Sequence, residues 1–340
     1  VSGQGVGVQR RALGVFFGIV LLAEVGCGGD GTEPSSVDQV DYRAALRSEL
    51  QGLSETSGDA LLRRHFQSII QVIDAGDLGL PPHTESIGQL WAAFDDTSDP
   101  HSPRLRESYL SRSRNLIVSW VSPTDGQVSF TWLTLPAHWD RKREYPLYIG
   151  LHGLWDVAGD RLTYLAYPFQ NPGSSFAYDD GYLISPWGRG NLWYVGIAET
   201  DIWECIAAIK KLFRVDRRRQ YITGHSMGGY GAWHIALRSA DVWAGLGVHA
   251  GALWYSSGSE VNAAAAAILR DMPTYFVVGT SDGLYATDQA AYQLLKETGN
   301  PNLAFVTFDG GHDYRQEDVE RMYLWLRKFD LRDRTTTTLQ

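Results

Sequence analysis

Between residues 37 and 94, apolar side chains recur at helical spacing. Tyr42, Leu46, Leu50 and Leu53 form one stripe, and Leu61, Leu62, Phe66, Ile69, Ile70 and Ile73 form the next. Pro81-Pro82 interrupts the pattern, and 87–94 starts a further short helical stretch. The polar, proline-containing segment 95–103 marks a boundary. From Asn115 the period changes. Residues 116–121 read as a strand, Pro123-Thr124-Asp125-Gly126 as a turn, and 128–135 as a second strand. The short apolar run 147–151 suits a parallel strand buried on both faces. Strands at 182–185, 220–223, 244–248, 274–278 and 303–308 then alternate with helices at 201–213, 228–238, 261–269, 286–297 and 316–329. A hairpin followed by βα repetition predicts an α/β fold. Its mostly parallel central sheet is flanked by helices over 114–333, with an N-terminal helical extension over 37–100. The tail 334–340 reads as disordered.

The first residues carry an address rather than a fold. Arg10 and Arg11 precede an apolar run over 12–23, which falls short of the roughly 20 residues a bilayer-spanning helix needs. Gly26-Cys27 follows, then a glycine-rich polar tether over 28–36. A small residue before a cysteine just past the run resembles the bacterial lipobox, although Glu24 departs from its apolar pattern. Residues 1–27 are therefore expected to be a bacterial signal peptide. The mature chain would be secreted, or held at the outer surface or in the periplasm as a lipoprotein through Cys27. Such an anchor would be its only link to a membrane.

Composition narrows the partners. The chain has 340 residues, 44% hydrophobic and 20% charged, and a formal net charge of −9, so nothing in it attracts a phosphate backbone and nucleic acid is excluded. Of its two cysteines, Cys205 lies in a helix-period stretch and reads as a packed hydrophobe, which leaves no internal disulfide. No metal-ligand spacing and no phosphate-binding loop is present, so no cofactor is expected. The 12 Trp and 17 Tyr suit either a large core or a pocket partly lined by aromatics.

One string carries chemistry. Gly224, Ser226 and Gly228 form G-x-S-x-G between the strand 220–223 and the helix 228–238. A serine on such a tight turn is held clear of the sheet, and the helix that follows points free N–H groups at a developing oxyanion. A serine hydroxyl needs a base. His312 stands in the glycine-rich loop after the last strand, while His249 ends another strand at the same edge and is read as a pocket residue or as packing. Among the intervening carboxylates only Asp282 sits just past the end of a buried strand; Asp288 falls inside the next helix, where a solvated face is expected. The order Ser226, Asp282, His312 is that of the α/β-hydrolase fold. Met227 and either Gly153 or Leu154 are expected to supply main-chain oxyanion donors, with His152 structural beneath that loop.

These residues resemble the esterase family that includes feruloyl esterases, acetyl xylan esterases and polyhydroxyalkanoate depolymerase-like hydrolases. The resemblance covers about residues 126–330. It is carried by Tyr145-Pro146-Leu147 running to Leu151-His152-Gly153, by Pro186-Trp187-Gly188-Arg189-Gly190, by the stretch from Tyr221 to Gly229, by Gly279-Thr280-Ser281-Asp282 and by Gly310-Gly311-His312. It implies an α/β-hydrolase fold and serine-dependent hydrolysis of carboxylic esters, small-molecule or polysaccharide-linked. It does not specify the substrate. Aromatic residues at Trp155, Trp187, Trp193 and Trp254 suggest a phenol- or sugar-bearing ester, with Trp155, Trp187, Trp254 and His249 as pocket candidates. Two other readings remain open at this point: a peptidase of the prolyl-oligopeptidase kind, and a non-catalytic surface-binding lipoprotein. An acyltransferase is chemically close.

Overall fold

The computed structural model describes residues 42–76, 115–154, 161–166, 180–253 and 260–334. The signal, tether and tail expectations, and the helix expected at 87–94, lie outside those residues. All the described residues belong to the compact unit 41–340.

Eight strands form one sheet in the order β1-β2-β4-β3-β5-β6-β7-β8. They are β1 Asn115–Val121, β2 Val128–Thr134, β3 Tyr145–Leu151, β4 Tyr182–Pro186, β5 Val215–His225, β6 Gly245–His249, β7 Thr274–Gly279 and β8 Leu303–Phe308. β1 pairs antiparallel with β2, and β2 antiparallel with β4. Every pairing from β4 through β3 to β8 is parallel. The helices are α1 Tyr42–Thr56, α2 Ala60–Ala75, α3 Arg161–Ala166, α4 Ile197–Leu212, α5 Met227–Arg238, α6 Ala263–Ile268, α7 Tyr285–Glu297 and α8 Gln316–Leu326. This is the mostly parallel α/β-hydrolase sheet that the sequence predicts.

The apolar runs of the central strands have a plain cause: both faces are buried. Leu147, Ile149, Ile222, Leu246, Val248 and Phe276 pack on one side, with residues of α4, α5 and α7. Their neighbours Tyr148, Tyr221, Tyr275 and Val277 pack on the other, against Met322, Tyr323 and Leu326 of α8. Strand alternation thus serves two cores rather than one core and solvent.

The helical extension forms a third core. Leu46, Leu50, Phe66, Ile69 and Ile73 of α1 and α2 close over Ile117 of β1 and Phe130 of β2. Asp59 caps α2 by accepting from the N–H groups of Leu61 and Leu62 at 2.7 and 3.2 Å, and Gly76, at φ +63°, ends it. His65 Nδ1 accepts the Ile117 N–H at 2.9 Å, fastening α2 to β1.

Two boundaries move for local reasons. β5 begins at Val215, so Arg217, Arg218 and Arg219 lie within a strand rather than before it; Arg219 Nε bonds Asp216 at 2.8 Å, and the polar run bulges between the Val215 and Gln220 pairings to β3. α4 begins at Ile197, after a segment with positive φ at Gly188, Arg189, Gly190, Trp193, Tyr194 and Gly196. Such backbone persists only when it is over-determined. Arg189 supplies much of that, with Nε on Asp201 at 3.0 Å and Nη1 and Nη2 on Asp125 at 3.0 and 3.1 Å. Ser129 Oγ donates to the other Asp201 oxygen at 2.8 Å.

Candidate active site

Ser226 stands between the end of β5 and the start of α5, with φ +56° and ψ −118°. A side chain there is strained, and close packing enforces the turn. A Cβ on Gly224 would sit 2.2 Å from the Gly228 main chain, and one on Gly228 would sit 2.1 Å from the Leu151 oxygen. Only glycine fits either place. The Ser226 N–H donates to the His249 oxygen at 2.9 Å, and the Ser226 oxygen accepts from Tyr230 and Ala252 N–H, both at 3.1 Å.

The histidine comes from the loop after β8. A Cβ on Gly279 would meet the Gly311 oxygen at 2.3 Å, so glycine at the end of β7 lets that loop cross toward Ser226. His312 Nε2 lies 2.8 Å from Ser226 Oγ, and His312 Nδ1 lies 2.8 Å from Asp282 Oδ2. An ionised carboxylate only accepts, so Nδ1 carries the proton and Nε2 is left to accept from the serine hydroxyl. Asp282 Oδ1 accepts the Leu284 N–H at 2.8 Å. The Asp282 side chain is 2% exposed and that of His312 is 42% exposed, so the chain of bonds runs from the interior to an open rim. The three residues singled out in the sequence, 86 and 30 positions apart, meet here.

Met227 opens α5, so its main-chain N–H belongs to the unpaired first turn at the helix's positive end. Gly153 lies against the elbow: a Cβ there would be 3.3 Å from Ser226 Cβ. His152 is fully buried beneath it, with Nδ1 2.8 Å from the Gly153 oxygen and Nε2 2.9 Å from the Trp187 oxygen. Burial lowers its pKa, although both carbonyls pull the other way. A neutral imidazole has one N–H, so it donates to one of the two carbonyls at a time. Tyr194 donates its hydroxyl to the His152 oxygen at 3.0 Å. Each bond held by a carbonyl turns the N–H across its planar peptide the opposite way. Tyr194 thereby fixes the peptide that carries the Gly153 N–H, and His152, when its Nδ1 bears the proton, fixes the one that carries the Leu154 N–H. Tyr194 has no motif around it and was not singled out from the sequence.

Trp187 and His249, expected at a pocket wall, are core residues. Trp187 is 0% exposed, its ring stacked on Phe130 at 6.2 Å with Arg161 5.0 Å over it. His249 is 1% exposed and packs on His225 and Tyr314 at 4.7 and 5.6 Å. Burial pushes its pKa down to about 4. A cavity of about 10 Å³ beside His225, His249, Tyr314 and Tyr323 has room for one water. Trp155 and Trp254 lie outside the described residues. Asp288, expected on a solvated helix face, is fully buried, because that face of α7 turns inward against the turn after β6.

Residues 203–330 match the esterase family described as "Putative esterase". The solved structures similar to this chain include a ferulic acid esterase, with 20% identity, a TM-score of 0.50, and coverage of 63% of this chain and 98% of that one. They also include an S-formylglutathione hydrolase from Staphylococcus aureus, with 20% identity, a TM-score of 0.49, and coverage of 62% and 98%. Another from Agrobacterium tumefaciens has 19% identity, a TM-score of 0.46, and coverage of 63% and 94%. No curated protein sequence matches the chain. The fold is that of the α/β-hydrolases, and its C-terminal part is similar to an esterase family. The part of the chain similar to that esterase family runs from the first turns of α4 to the end of α8.

Proposed function

We propose that the protein hydrolyses carboxylic esters through an acyl-enzyme on Ser226. His312 Nε2 takes the hydroxyl proton as Oγ attacks the ester carbonyl, and the tetrahedral oxyanion is held by main-chain N–H groups of Met227 and of Gly153 or Leu154. His312 then gives that proton to the departing alkoxide as the C–O bond breaks. Water enters, loses a proton to the same nitrogen and attacks the acyl carbon. Collapse of the second intermediate returns the proton to Ser226 Oγ and frees the acid. Asp282 fixes the tautomer and stabilises the imidazolium throughout. The observation that carries this reading is the pair of 2.8 Å contacts linking Ser226 Oγ, His312 and Asp282.

The esterase family supports small-molecule esters as substrates. Trp155 follows the oxyanion loop in the sequence and Trp254 follows the turn after β6, which favours aromatic or sugar-bearing acyl and alcohol groups, polysaccharide-linked ones included. The wild-type protein should turn over p-nitrophenyl acetate and butyrate and take up one fluorophosphonate on Ser226, and the Ser226→Ala protein should do neither. An inert, unlabelled wild type sinks the proposal. A panel of feruloyl, acetylated-sugar and short-chain esters then ranks the substrate classes.

We further propose that the chain is exported and lipid-anchored through Cys27, on the strength of the apolar run and the Gly26-Cys27 pair. Fatty-acid labelling should vanish in Cys27→Ala; labelling that persists refutes the anchor.

A further inference from the structure

Asp288 is a buried acid that the mechanism above does not use. It lies on α7 with 0% exposure. Its Oδ2 accepts the main-chain N–H of Gly251 at 3.1 Å, and its Oδ1 has no hydrogen-bond partner among the described residues. Burial first, and the neighbouring Asp282 carboxylate after it, push its pKa well above the usual carboxylate range, against the Gly251 bond, which lowers it. An apolar side chain would occupy that place at lower cost, so the one bond Asp288 makes calls for a reason.

That bond goes to the turn that backs the nucleophile. Ala250 is held at φ +44°, a conformation that side chains rarely adopt. On either side of it the chain is tied to the elbow: the His249 oxygen accepts the Ser226 N–H, and the Ala252 N–H donates to the Ser226 oxygen. Ala250 N–H itself donates to Val277 in β7 at 2.7 Å. Gly251 lies directly on the first turn of α5, where a Cβ on Gly229 would come within 2.7 Å of its Cα. Two strained residues, Ser226 and Ala250, thus stand back to back, and Gly251 is the piece between Asp288 and the elbow helix.

We propose that Asp288 is a positioning residue for the ester hydrolysis read above, clamping Gly251 and the strained 249–252 turn against α5 so that Ser226 Oγ stays aligned with His312. It touches no reacting atom and acts through the Gly251 amide. The requirement is an acceptor oxygen held at the Gly251 amide. Asp282, whose Oδ2 holds His312, is its neighbour.

The test compares kcat, KM and the rate of fluorophosphonate labelling for wild type, Asp288→Asn and Asp288→Ala, each confirmed as folded by circular dichroism. Asparagine keeps the acceptor without the charge, so it should stay within about threefold of wild type. Alanine should lower kcat and the labelling rate together by about ten- to a hundredfold, with KM little changed, as expected for a reacting atom shifted by a fraction of an ångström. A folded Asp288→Ala protein with wild-type kcat overturns the proposal, and so does an Asp288→Asn protein as impaired as the alanine variant. Hydrogen exchange at the Gly251 amide of wild type gives a readout that needs no variant: it should be strongly protected, and exchange at the rate of a free amide overturns the clamp. Failure of the esterase reading itself looks different, because the wild type would then be inert and unlabelled.

Discussion

The phenol of Tyr194 donates to the main-chain oxygen of His152 across 3.0 Å, from a residue itself held at φ +55°. The loop that begins at Trp187 thereby reaches under the loop that follows β3. A Cβ on Gly188 would come 2.6 Å from the Tyr194 ring, and one on Gly231 would come 2.3 Å from it, so the ring fits a slot between the loop and α5. Removing the hydroxyl leaves the ring in place and frees the carbonyl. Tyr194→Phe should therefore lower kcat by roughly tenfold with KM little changed, less than the roughly 10²–10³ lost when an oxyanion donor is removed outright. Steady-state kinetics on a p-nitrophenyl ester decide it; an unchanged kcat shows that the Gly153 peptide is held without Tyr194.

Asp282→Asn replaces the carboxylate that selects the His312 tautomer. An amide donating to Nδ1 would put the proton on Nε2, facing Ser226 with a donor instead of an acceptor. The expected loss in kcat is on the order of 10³–10⁴, with the fold intact. A loss below tenfold would mean that Asp282 does not orient the base.

The elbow glycines bear on stability as well as on chemistry. Gly228→Ala sets a methyl 2.1 Å from the Leu151 oxygen, where neither α5 nor β3 has room to yield. Destabilisation of about 3 kcal/mol or more should follow. Thermal melts of variant and wild type measure it, and equal Tm values refute the packing argument.

Acid should loosen the seam between α2 and β1. His65 is fully buried, and burial lowers its pKa to about 3 from the usual 6.5. Its Nδ1 must keep a lone pair to accept the Ile117 N–H. The unfolded chain binds the proton more readily, so this group's contribution is complete above about pH 6.5 and is lost as pH falls toward 3, at up to about 1.4 kcal/mol per pH unit. Denaturant midpoints of wild type should drop across that range, and His65→Asn, which keeps an acceptor and cannot titrate there, should flatten the slope. Parallel curves for the two proteins refute the assignment.

Much of this protein is legible in its sequence because the relevant physics is local. Apolar runs bounded by turn residues mark β3, β6 and β7, since strands buried on both faces leave no other pattern. Gly224 and Gly228 announced the elbow, since no side chain fits a strand-to-helix turn that tight. His312 and Asp282 were found by their places after strands, which a parallel sheet brings to one edge. Other features depend on partners remote in the chain. Burial of Asp288 depends on α7 turning toward Gly251 the face that also carries Ala291 and Leu295. Trp187 reads equally well as pocket or core until Phe130 and Arg161 close over it. Tyr194 reaches its role through a hydroxyl 42 residues from its acceptor. A side chain's chemistry and its local backbone are written where it stands; the water it loses and the partner it gains are decided only when distant segments pack.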